Sequence, residues 1–253
     1  MIPIALTIAG SDPSGGAGLQ ADLKTFHQFG VYGQAVVTLI TVQNTLGVTQ
    51  VQLLDDALVQ AQLDAVLSDI KPHALKTGAL GSESLIGALA FRAQTWKIPL
   101  VIDPVLFSKN GTRLSAASPR PLFPFAMLLT PNLAEAAELT GLTVRTIPEM
   151  RDAARALADL GARSVLVKGG HLEDAISVDV LFHEGEFTEF PAVRINTPHT
   201  HGTGCTYSAA ITALLACGMD VLSATARAKA YITEAIRSNP GLGAGHGPVN
   251  HWA

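Results

Sequence analysis

The sequence predicts an α/β protein built on a mostly parallel sheet that helices cover on both faces. Three observations lead to this prediction. Short apolar segments typical of fully buried strands alternate along the chain with segments of helical apolar spacing. Several of the apolar segments end in short polar motifs rich in glycine, lysine or aspartate. The chain contains no linker-like stretch and no internal repeat, so we expect residues 1–253 to form one domain.

The N-terminal half is predicted to alternate strands and helices. The apolar segment 4–9 indicates a strand, and a glycine- and serine-rich loop separates it from a helix over 17–29. A second strand is predicted at 34–42. Apolar residues at helical spacing predict a helix over 55–69, with Asp55 or Asp56 as its N-cap. A short strand at 73–76 precedes a helix over 83–95 that Ser82 caps.

The C-terminal half continues the alternation. Apolar strands are predicted at 100–102, 127–129 and 164–167, with helices over 133–140 and 148–160. Residues 178–182 and 186–190 flank the sequence His-Glu-Gly at 183–185, which predicts a hairpin. The last two helices are predicted over 205–216 and 221–238.

Composition excludes several classes of protein. With 48% hydrophobic and 15% charged residues the chain is not disordered, and a net charge of −4 argues against nucleic acid as the main partner. Residues 25–54 and 195–219 carry no Asp, Glu, Lys or Arg. Both runs are interrupted by polar side chains, so neither offers the ~18 consecutive apolar residues of a spanning helix, and we expect no membrane segment. The N-terminus lacks the basic region of a signal peptide.

The two cysteines, Cys205 and Cys217, do not suggest a disulfide framework. Twelve residues along one helix would separate them by ~18 Å, which is beyond disulfide reach. We therefore expect a reduced, cytoplasmic setting. Cys217 follows an apolar segment and is expected to belong to the core.

Polar motifs follow five of the predicted strands. In open α/β sheets the ligand crevice lies beyond the carboxyl ends of the strands, so these motifs are expected to share one site. They are Gly10-Ser11-Asp12, Lys76-Thr77-Gly78, Asp103-Pro104, Thr130-Pro131-Asn132 and Lys168-Gly169-Gly170.

The glycine-rich loop after the first strand partly matches a dinucleotide-binding fingerprint through Gly16, Gly18 and Ala21. That fingerprint expects an acidic residue about 20 positions further on, yet after Asp22 the next acid is Asp55, so a nucleotide-dependent oxidoreductase is disfavoured. The alternative interpretation is a tight turn with Asp12 or Ser14 as the helix N-cap. The chain has no Walker A motif.

A second glycine-rich turn, residues 202–205, leads into an alanine-rich helix. Amides at a helix N-terminus, with Gly202 and Gly204 permitting close approach, would suit a phosphate. Cys205 would lie in the first helical turn, where the helix dipole lowers a thiol pKa. The alternative is an ordinary turn with Thr203 as N-cap and a buried cysteine, and the spacing does not decide between them.

Acidic and basic residues after the apolar strands form a third candidate group. Asp103 and Glu135 are carboxylates of the kind that bind Mg²⁺, directly or through water, and Lys168 would suit a phosphate. Each of them taken alone is more often a cap or a surface charge. His171 and His201 lie in motifs, but no catalytic triad or zinc pattern accompanies them, so a structural role is equally open.

Together these motifs resemble the hydroxymethylpyrimidine/phosphomethylpyrimidine kinases of thiamine biosynthesis, in the ribokinase-like superfamily. The resemblance runs in order through nearly the whole chain. It rests on residues 9–22 (AGSDPSGGAGLQAD), 43–45 (QNT), 130–136 (TPNLAEA), 167–171 (VKGGH), 201–205 (HGTGC) and 247–251 (GPVNH).

The resemblance implies a three-layer α/β/α sandwich. It also implies phosphorylation, by ATP with Mg²⁺, of 4-amino-5-hydroxymethyl-2-methylpyrimidine and then of its monophosphate. A homodimer is implied as well. By resemblance, the site residues divide into a pyrimidine group (Gln43, Gly10, Ala17, Asp22), an anion hole (Gly202, Thr203, Gly204, and Cys205 at the catalytic position), Mg²⁺–ATP ligands (Asp103, Glu135) and a phosphate-binding lysine (Lys168).

Cys205 stands where sugar kinases of this superfamily carry an aspartate that acts as general base. The helix terminus would favour a thiolate that takes the proton or orients the hydroxymethyl group. A cysteine also occurs there in some pyridoxal kinases, so pyridoxal kinase is the first alternative, and a non-catalytic pyrimidine sensor is the second. The chain departs from the family pattern at Phe107-Ser108 and at Leu80.

Overall fold

The computed structural model describes residues 2–107, 111, 117–170 and 175–253, and a nine-stranded sheet forms its centre. The strands are β1 (Ile4–Ser11), β2 (Tyr32–Asn44), β3 (Gly47–Leu53), β4 (Ala74–Thr77), β5 (Leu100–Ile102), β6 (Leu128–Leu129), β7 (Ser164–Val167), β8 (Ile176–His183) and β9 (Glu186–Val193). The α-helices are α1 (Gly18–Gln28), α2 (Asp56–Asp69), α3 (Glu83–Ala93), α4 (Leu133–Thr140), α5 (Ile147–Asp159), α6 (Thr203–Ala216) and α7 (Val221–Arg237).

The sheet is parallel in its middle and antiparallel at both edges. Its order is β3-β2-β1-β4-β5-β6-β7-β8-β9. The six neighbouring strands β2, β1, β4, β5, β6 and β7 are parallel to one another. At one edge β3 pairs antiparallel with β2, and at the other β8 pairs antiparallel with β7 and β9 with β8. The carboxyl ends of the six parallel strands therefore lie at one edge of the sheet.

Two hydrophobic clusters cover the two faces of the sheet. Neighbouring strand residues enter opposite clusters, as the two-residue period of a strand requires: Leu100 and Ile102 join one and Val101 joins the other. Helices α2 to α5 pack on the first face and α1, α6 and α7 on the second. The predicted three-layer α/β/α architecture with a mostly parallel sheet is confirmed.

Most elements and several caps agree with the sequence prediction. Asp55 caps α2 by accepting from the amides of Ala57 and Leu58, and Ser82 caps α3. Strand β3 and a 3-10 helix at Arg120–Phe125 were not predicted. β3 is a half-exposed edge strand whose apolar residues alternate with Thr and Gln, so it lacks the continuous apolar character by which the other strands were found.

The second charge-free run is explained by helix α6. Every residue from Thr206 to Ala216 is buried, because the helix lies between the sheet and helices α1 and α7. The prediction that Cys217 belongs to the core is wrong: Cys217 follows the last turn of α6 and is exposed. Among the described residues, no helix is long and apolar enough to cross a membrane.

Candidate active site

A cavity of about 950 Å³ opens at the carboxyl edge of the parallel strands. It is lined by residues from all five polar motifs, represented by Gly10, Gly78, Asp103, Asn132 and Lys168. The 202–205 turn also lines it. The expectation that these motifs share one site therefore agrees with their positions.

Asp12 folds the loop between β1 and α1. Its carboxylate accepts hydrogen bonds from the amides of Ser14, Gly16 and Ala17, and from the Ser14 hydroxyl. Neither Asp12 nor Ser14 is the N-cap of α1, as the alternative interpretation proposed, because that position is occupied by Ala17. Burial opposes ionisation of Asp12, but the hydrogen bonds from His201 and Ser14 lower its pKa to about 2.

Gln43 lies on β2, which extends two residues further than predicted. The alternation of a strand turns Leu39, Thr41 and Gln43 into the cavity. The Gln43 carboxamide lies 3.3 Å from Nε2 of His201 and 3.1 Å from Oγ1 of Thr41. His201 Nε2 is in turn 2.8 Å from Asp12 Oδ2. His201, for which the sequence left the role open, thus lies in the cavity wall beside Gln43.

The 202–205 turn places the N-terminus of α6 against the N-terminus of α1. Gly202 is the N-cap of α6, with φ of 78°, and a Cβ atom there would lie 1.7 Å from the carbonyl oxygen of Gly16. Thr203 is not the N-cap, and its hydroxyl donates to the carbonyl of Thr200. The amides at the starts of both helices consequently approach the same part of the cavity.

Cys205 lies at this junction, where the amide of Gly18 donates to its sulfur. Burial raises the pKa of the thiol to about 12; Lys76 opposes this, and Asp22 and Asp103 add to it. The expected thiolate is therefore not supported, and Cys205 is a neutral thiol around pH 7. The helix dipole is outweighed because desolvation and two nearby carboxylates act against it.

A buried ion pair lies beneath the cavity floor. Lys76 Nζ is 3.0 Å from Asp22 Oδ2, both side chains are fully buried, and Thr7 donates to the same oxygen. Burial opposes protonation of Lys76, but Asp22 raises its pKa above the usual range. Lys76 lines the cavity, whereas Asp22 is not among the described residues that line it. Asp22 was expected to contact the pyrimidine, whereas its position supports an indirect role through Lys76.

Asp103, Glu135 and Lys168 form the charged part of the cavity. Lys168 Nζ is 2.9 Å from Asp103 Oδ1, and Ser208 donates to the other carboxylate oxygen. Glu135 also completes a capping box with Asn132 at the start of α4. Sequence reasoning found the three charges but not their pairing.

The two carboxylates differ in pKa. Burial opposes ionisation of Asp103, but Lys168 and Lys76 keep its pKa below the usual range. Burial raises the pKa of Glu135 to about 7; Lys168 opposes this shift and Asp103 adds to it. No group of three or more metal-ligating side chains occurs among the described residues. Two carboxylates beside a lysine nevertheless fit Mg²⁺, which commonly uses one or two protein ligands and keeps its waters.

A further buried aspartate, Asp179, supports the loop that follows Lys168 and was missed by the sequence analysis. Asp179 accepts from the amide of Gly169, at 2.9 Å, and from Nζ of Lys229, at 2.8 Å. Its signal was an aspartate among the apolar residues of the predicted strand 178–182, where a buried charge requires partners. Lys229 lines the cavity from helix α7.

The remaining predictions concern single positions. Phe107 lines the cavity, while Leu80 is buried in the hydrophobic core. Ser108 and His171 lie outside the described residues.

A family model described as phosphomethylpyrimidine kinase matches residues 12–250. The chain belongs to the phosphomethylpyrimidine kinase family. It is 46% identical to the hydroxymethylpyrimidine/phosphomethylpyrimidine kinase of Staphylococcus aureus strain MRSA252, over 99% of this chain and 94% of that protein. It is also 49% identical to the thiamine biosynthesis bifunctional protein ThiED of Geobacter sulfurreducens, of which it spans about half the length (51%). The family resemblance inferred from the motifs is confirmed.

The similar solved structures include pyridoxal kinases as well as phosphomethylpyrimidine kinases. The pyridoxal kinase of Bacillus subtilis, in an ADP complex, is 39% identical with a TM-score of 0.90, over 99% of this chain and 98% of that chain. The phosphomethylpyrimidine kinase of Clostridium difficile 630 is 40% identical with a TM-score of 0.81, over 93% of this chain and 100% of that chain. The fold is therefore common to kinases of both names.

Proposed function

We propose that this chain phosphorylates 4-amino-5-hydroxymethyl-2-methylpyrimidine and then its monophosphate, using ATP, in thiamine biosynthesis. The observation that carries the proposal is the division of one cavity into two chemically different ends. One end, at Gly10, Ala17 and Gln43, offers hydrogen bonds from backbone groups and a carboxamide, with the charge of Asp12 taken up by amides of its own loop and by His201, whereas the other carries Lys168, Asp103 and Glu135. A flat neutral alcohol suits the first end and the phosphates of ATP suit the second.

At the uncharged end, Gln43 would hydrogen-bond the aminopyrimidine ring, and the backbone at Gly10 and Ala17 would contact its faces and edge. Asp22 would act from below by holding Lys76. This arrangement accounts for the charge-free run 25–54, because a neutral ring gains nothing from charged neighbours that would have to be desolvated.

At the junction, the amides of Gly202, Thr203, Gly204 and Cys205 would stabilise the charge on the transferring phosphoryl group, and Lys168 would bind the phosphates. With a neutral thiol, Cys205 would orient the hydroxymethyl group by a hydrogen bond rather than remove its proton as a preformed base.

Asp103 and Glu135 would hold Mg²⁺ beside Lys168, directly or through water. Bound there, Mg²⁺ would neutralise charge on the phosphate oxygens. Burial favours the protonated form of Glu135. A nearby cation would lower the pKa of Glu135 again, because it stabilises the ionised carboxylate.

The testing experiment is a coupled assay of ADP release that compares the pyrimidine alcohol, its monophosphate and pyridoxal. We expect turnover of both pyrimidines in the presence of Mg²⁺. Turnover of pyridoxal alone would establish the pyridoxal kinase alternative, to which the similar Bacillus subtilis structure gives weight. Binding of the pyrimidine without turnover would indicate a sensor.

Gln43→Ala provides the matched test of the uncharged end. Loss of the carboxamide should raise the KM for the pyrimidine by about 10- to 100-fold while changing kcat less, because each buried hydrogen bond contributes roughly 1–1.5 kcal/mol. An unchanged KM would remove Gln43 from the pocket.

We also propose that residues 1–253 form one domain, that the protein is cytoplasmic, and that it forms a homodimer. The continuous sheet supports one domain, and two free thiols suit a reducing compartment. Ile40 and Val42 are half-exposed on the face of β2 turned away from the cavity and beside the edge strand β3, which supports an interface there. Val42→Lys should convert a dimer to a monomer in analytical ultracentrifugation, and an already monomeric wild type would refute the dimer.

A further inference from the structure

Four polar side chains from three separate parts of the sequence meet in the wall of the cavity. His201 Nε2 lies 2.8 Å from Asp12 Oδ2 and 3.3 Å from one end of the Gln43 carboxamide. The other end of that carboxamide lies 3.1 Å from Thr41 Oγ1, which itself lies 2.9 Å from the carbonyl oxygen of Ser11. Asp12, Thr41 and His201 are all buried.

The proton on His201 Nε2 can be assigned from these contacts. Asp12 already accepts from three amides and one hydroxyl, and its pKa of about 2 leaves it ionised. An ionised carboxylate has no proton to donate. At 2.8 Å from Asp12, Nε2 of His201 must therefore carry the hydrogen that joins them.

In the structure the Gln43 nitrogen lies towards His201 and the Gln43 oxygen accepts from Thr41, and the assignment of the Nε2 proton favours exchanging these two ends. The two ends of a carboxamide have the same shape, so the hydrogen-bond network has to distinguish oxygen from nitrogen. A nitrogen facing His201 Nε2 would place two donors opposite each other, whereas an oxygen there can share the single Nε2–H hydrogen with Asp12, as the longer, 3.3 Å arm of a bifurcated hydrogen bond. The carboxamide nitrogen then faces Thr41, whose oxygen can accept because its own hydrogen is donated to Ser11. The Nε2–H group, the Thr41 hydroxyl and one N–H of the carboxamide then each have an acceptor.

We propose that His201, held by Asp12, is the positioning residue that keeps the Gln43 oxygen on the side of the 202–205 turn and the Gln43 nitrogen on the side of Thr41. The proposal rests on the proposed function and adds to it a reason for substrate orientation and selectivity. Gln43 then presents an acceptor and a donor to the cavity in a fixed order.

The fixed order matches one placement of the aminopyrimidine ring. The 4-amino group donates and the ring nitrogen N3 accepts, so they pair with the oxygen and nitrogen of Gln43 respectively. The hydroxymethyl group is attached to C5, on the far side of the amino group from N3. Pairing in this order directs the hydroxymethyl group towards His201 and the adjoining turn that contains Cys205, whereas a reversed carboxamide would direct it away.

A matched pair of substrates tests the order directly. The 4-oxo analogue of the pyrimidine alcohol carries an acceptor at C4 and a donor at N3, which is the reverse of the amino compound. We expect wild-type kcat/KM to be about 100-fold or more higher for the amino compound. In the oxo compound an acceptor would face the Gln43 oxygen and a donor would face the Gln43 nitrogen, so both hydrogen bonds are lost.

Removal of the positioning group should reduce that preference. In His201→Leu the carboxamide is free to turn, so the ratio of kcat/KM for amino over oxo compound should fall about 10-fold or more. His201→Gln can return an N–H donor to the same place and should restore most of the ratio. In a Gln43→Leu background, the His201→Leu change should leave the ratio unaltered.

The outcomes separate positioning from support of the fold. An equal loss of kcat/KM for both compounds, with the ratio unchanged, would overturn the proposal, because a structural defect affects the two compounds alike. If His201→Leu does not fold, Thr41→Val removes the acceptor at the other end of the carboxamide and should also lower the ratio; no change there would overturn the proposal too. If the wild type phosphorylates neither compound, the proposed function fails, and the ratio of their dissociation constants, measured by calorimetry on the same variants, still decides the orientation.

Discussion

Cys205 shows how the surroundings of one residue change the chemistry that its type suggests. A thiol at a helix N-terminus is expected to ionise easily. Here burial next to the carboxylates of Asp22 and Asp103 raises its pKa to about 12, despite Lys76. The sequence identified the residue and its helix position, but the opposing carboxylates come from other elements, and their proximity cannot be derived from local sequence.

The same limit applies to the other site residues. Motifs at strand ends indicated Asp103, Glu135 and Lys168, because a parallel sheet gathers its carboxyl ends at one edge. The partnership of Asp12 with His201 spans 189 positions and carries no local signature. Residue types at strand ends were therefore predictable, whereas the hydrogen bonds and ion pairs between them were not.

We predict that Cys205→Ala lowers kcat by about 100-fold or more and changes pyrimidine affinity little, since orientation of the reacting hydroxyl is lost while the ring contacts remain. Steady-state kinetics and calorimetry give the two quantities. Near-normal turnover in this variant would exclude an orienting role.

The protonation state of Cys205 can be measured separately. At pH 7.5 iodoacetamide should modify the exposed Cys217 well before the half-buried Cys205, because a thiol with a pKa of about 12 contains almost no thiolate. Peptide mass spectrometry distinguishes the two sites, and faster labelling of Cys205 would show that the thiolate is present after all.

At the scale of elements, the site depends on the contact between the starts of α1 and α6. The two helices pack side by side, and the turn at Gly202 lies directly against Gly16. Both helix N-termini thus point at one place, where the amides at the start of α1 are already used by Asp12 and by the Cys205 sulfur. Sequence analysis predicted an anion site at α6 but not the contribution of α1, because the two turns are almost 190 residues apart.

The two ends of α6 provide a matched pair of glycines. Gly202 and Gly218 have nearly equal φ, 78° and 85°, but a Cβ atom would overlap Gly16 at the first and meet nothing within 4 Å at the second. Gly218→Ala should cost only the roughly 1–2 kcal/mol of left-handed backbone. Gly202→Ala should cost about 1–3 kcal/mol more and abolish most activity, because the turn must move. Equal urea midpoints and equal activities would contradict the close contact.

At the scale of the whole molecule, the order of strands and helices could be predicted because buried parallel strands are apolar throughout and the helices have clear caps. The antiparallel edges were harder. Strand β3 has a polar alternation that a loop could equally have, and only its pairing with β2 makes it a strand. Tertiary pairing therefore determined what local sequence left undecided.

His251 links the chain segment after α7 to the packed helix layer. Its Nε2 lies 3.2 Å from the hydroxyl of Thr206 in α6, and its carbonyl oxygen accepts from Tyr231 in α7. The ring is buried, so the neutral form is favoured, and Lys24 and His201 act in the same direction. Together they lower the pKa of His251 from 6.5 to about 4.

This shift makes the stability of the fold depend on pH. When a histidine has a lower pKa in the folded state than in the unfolded state, its contribution is complete above the unfolded value of 6.5 and is lost as the pH falls towards 4. We expect the wild type to lose about 2 kcal/mol more than His251→Gln between pH 7 and pH 5, measured by urea denaturation at each pH. The glutamine variant is a suitable control, because its side-chain oxygen can still accept from Thr206 but does not titrate. Parallel pH profiles for the two proteins would mean that His251 is protonated without cost in the folded state, and the link between the last segment and α6 would then not be the source of acid sensitivity.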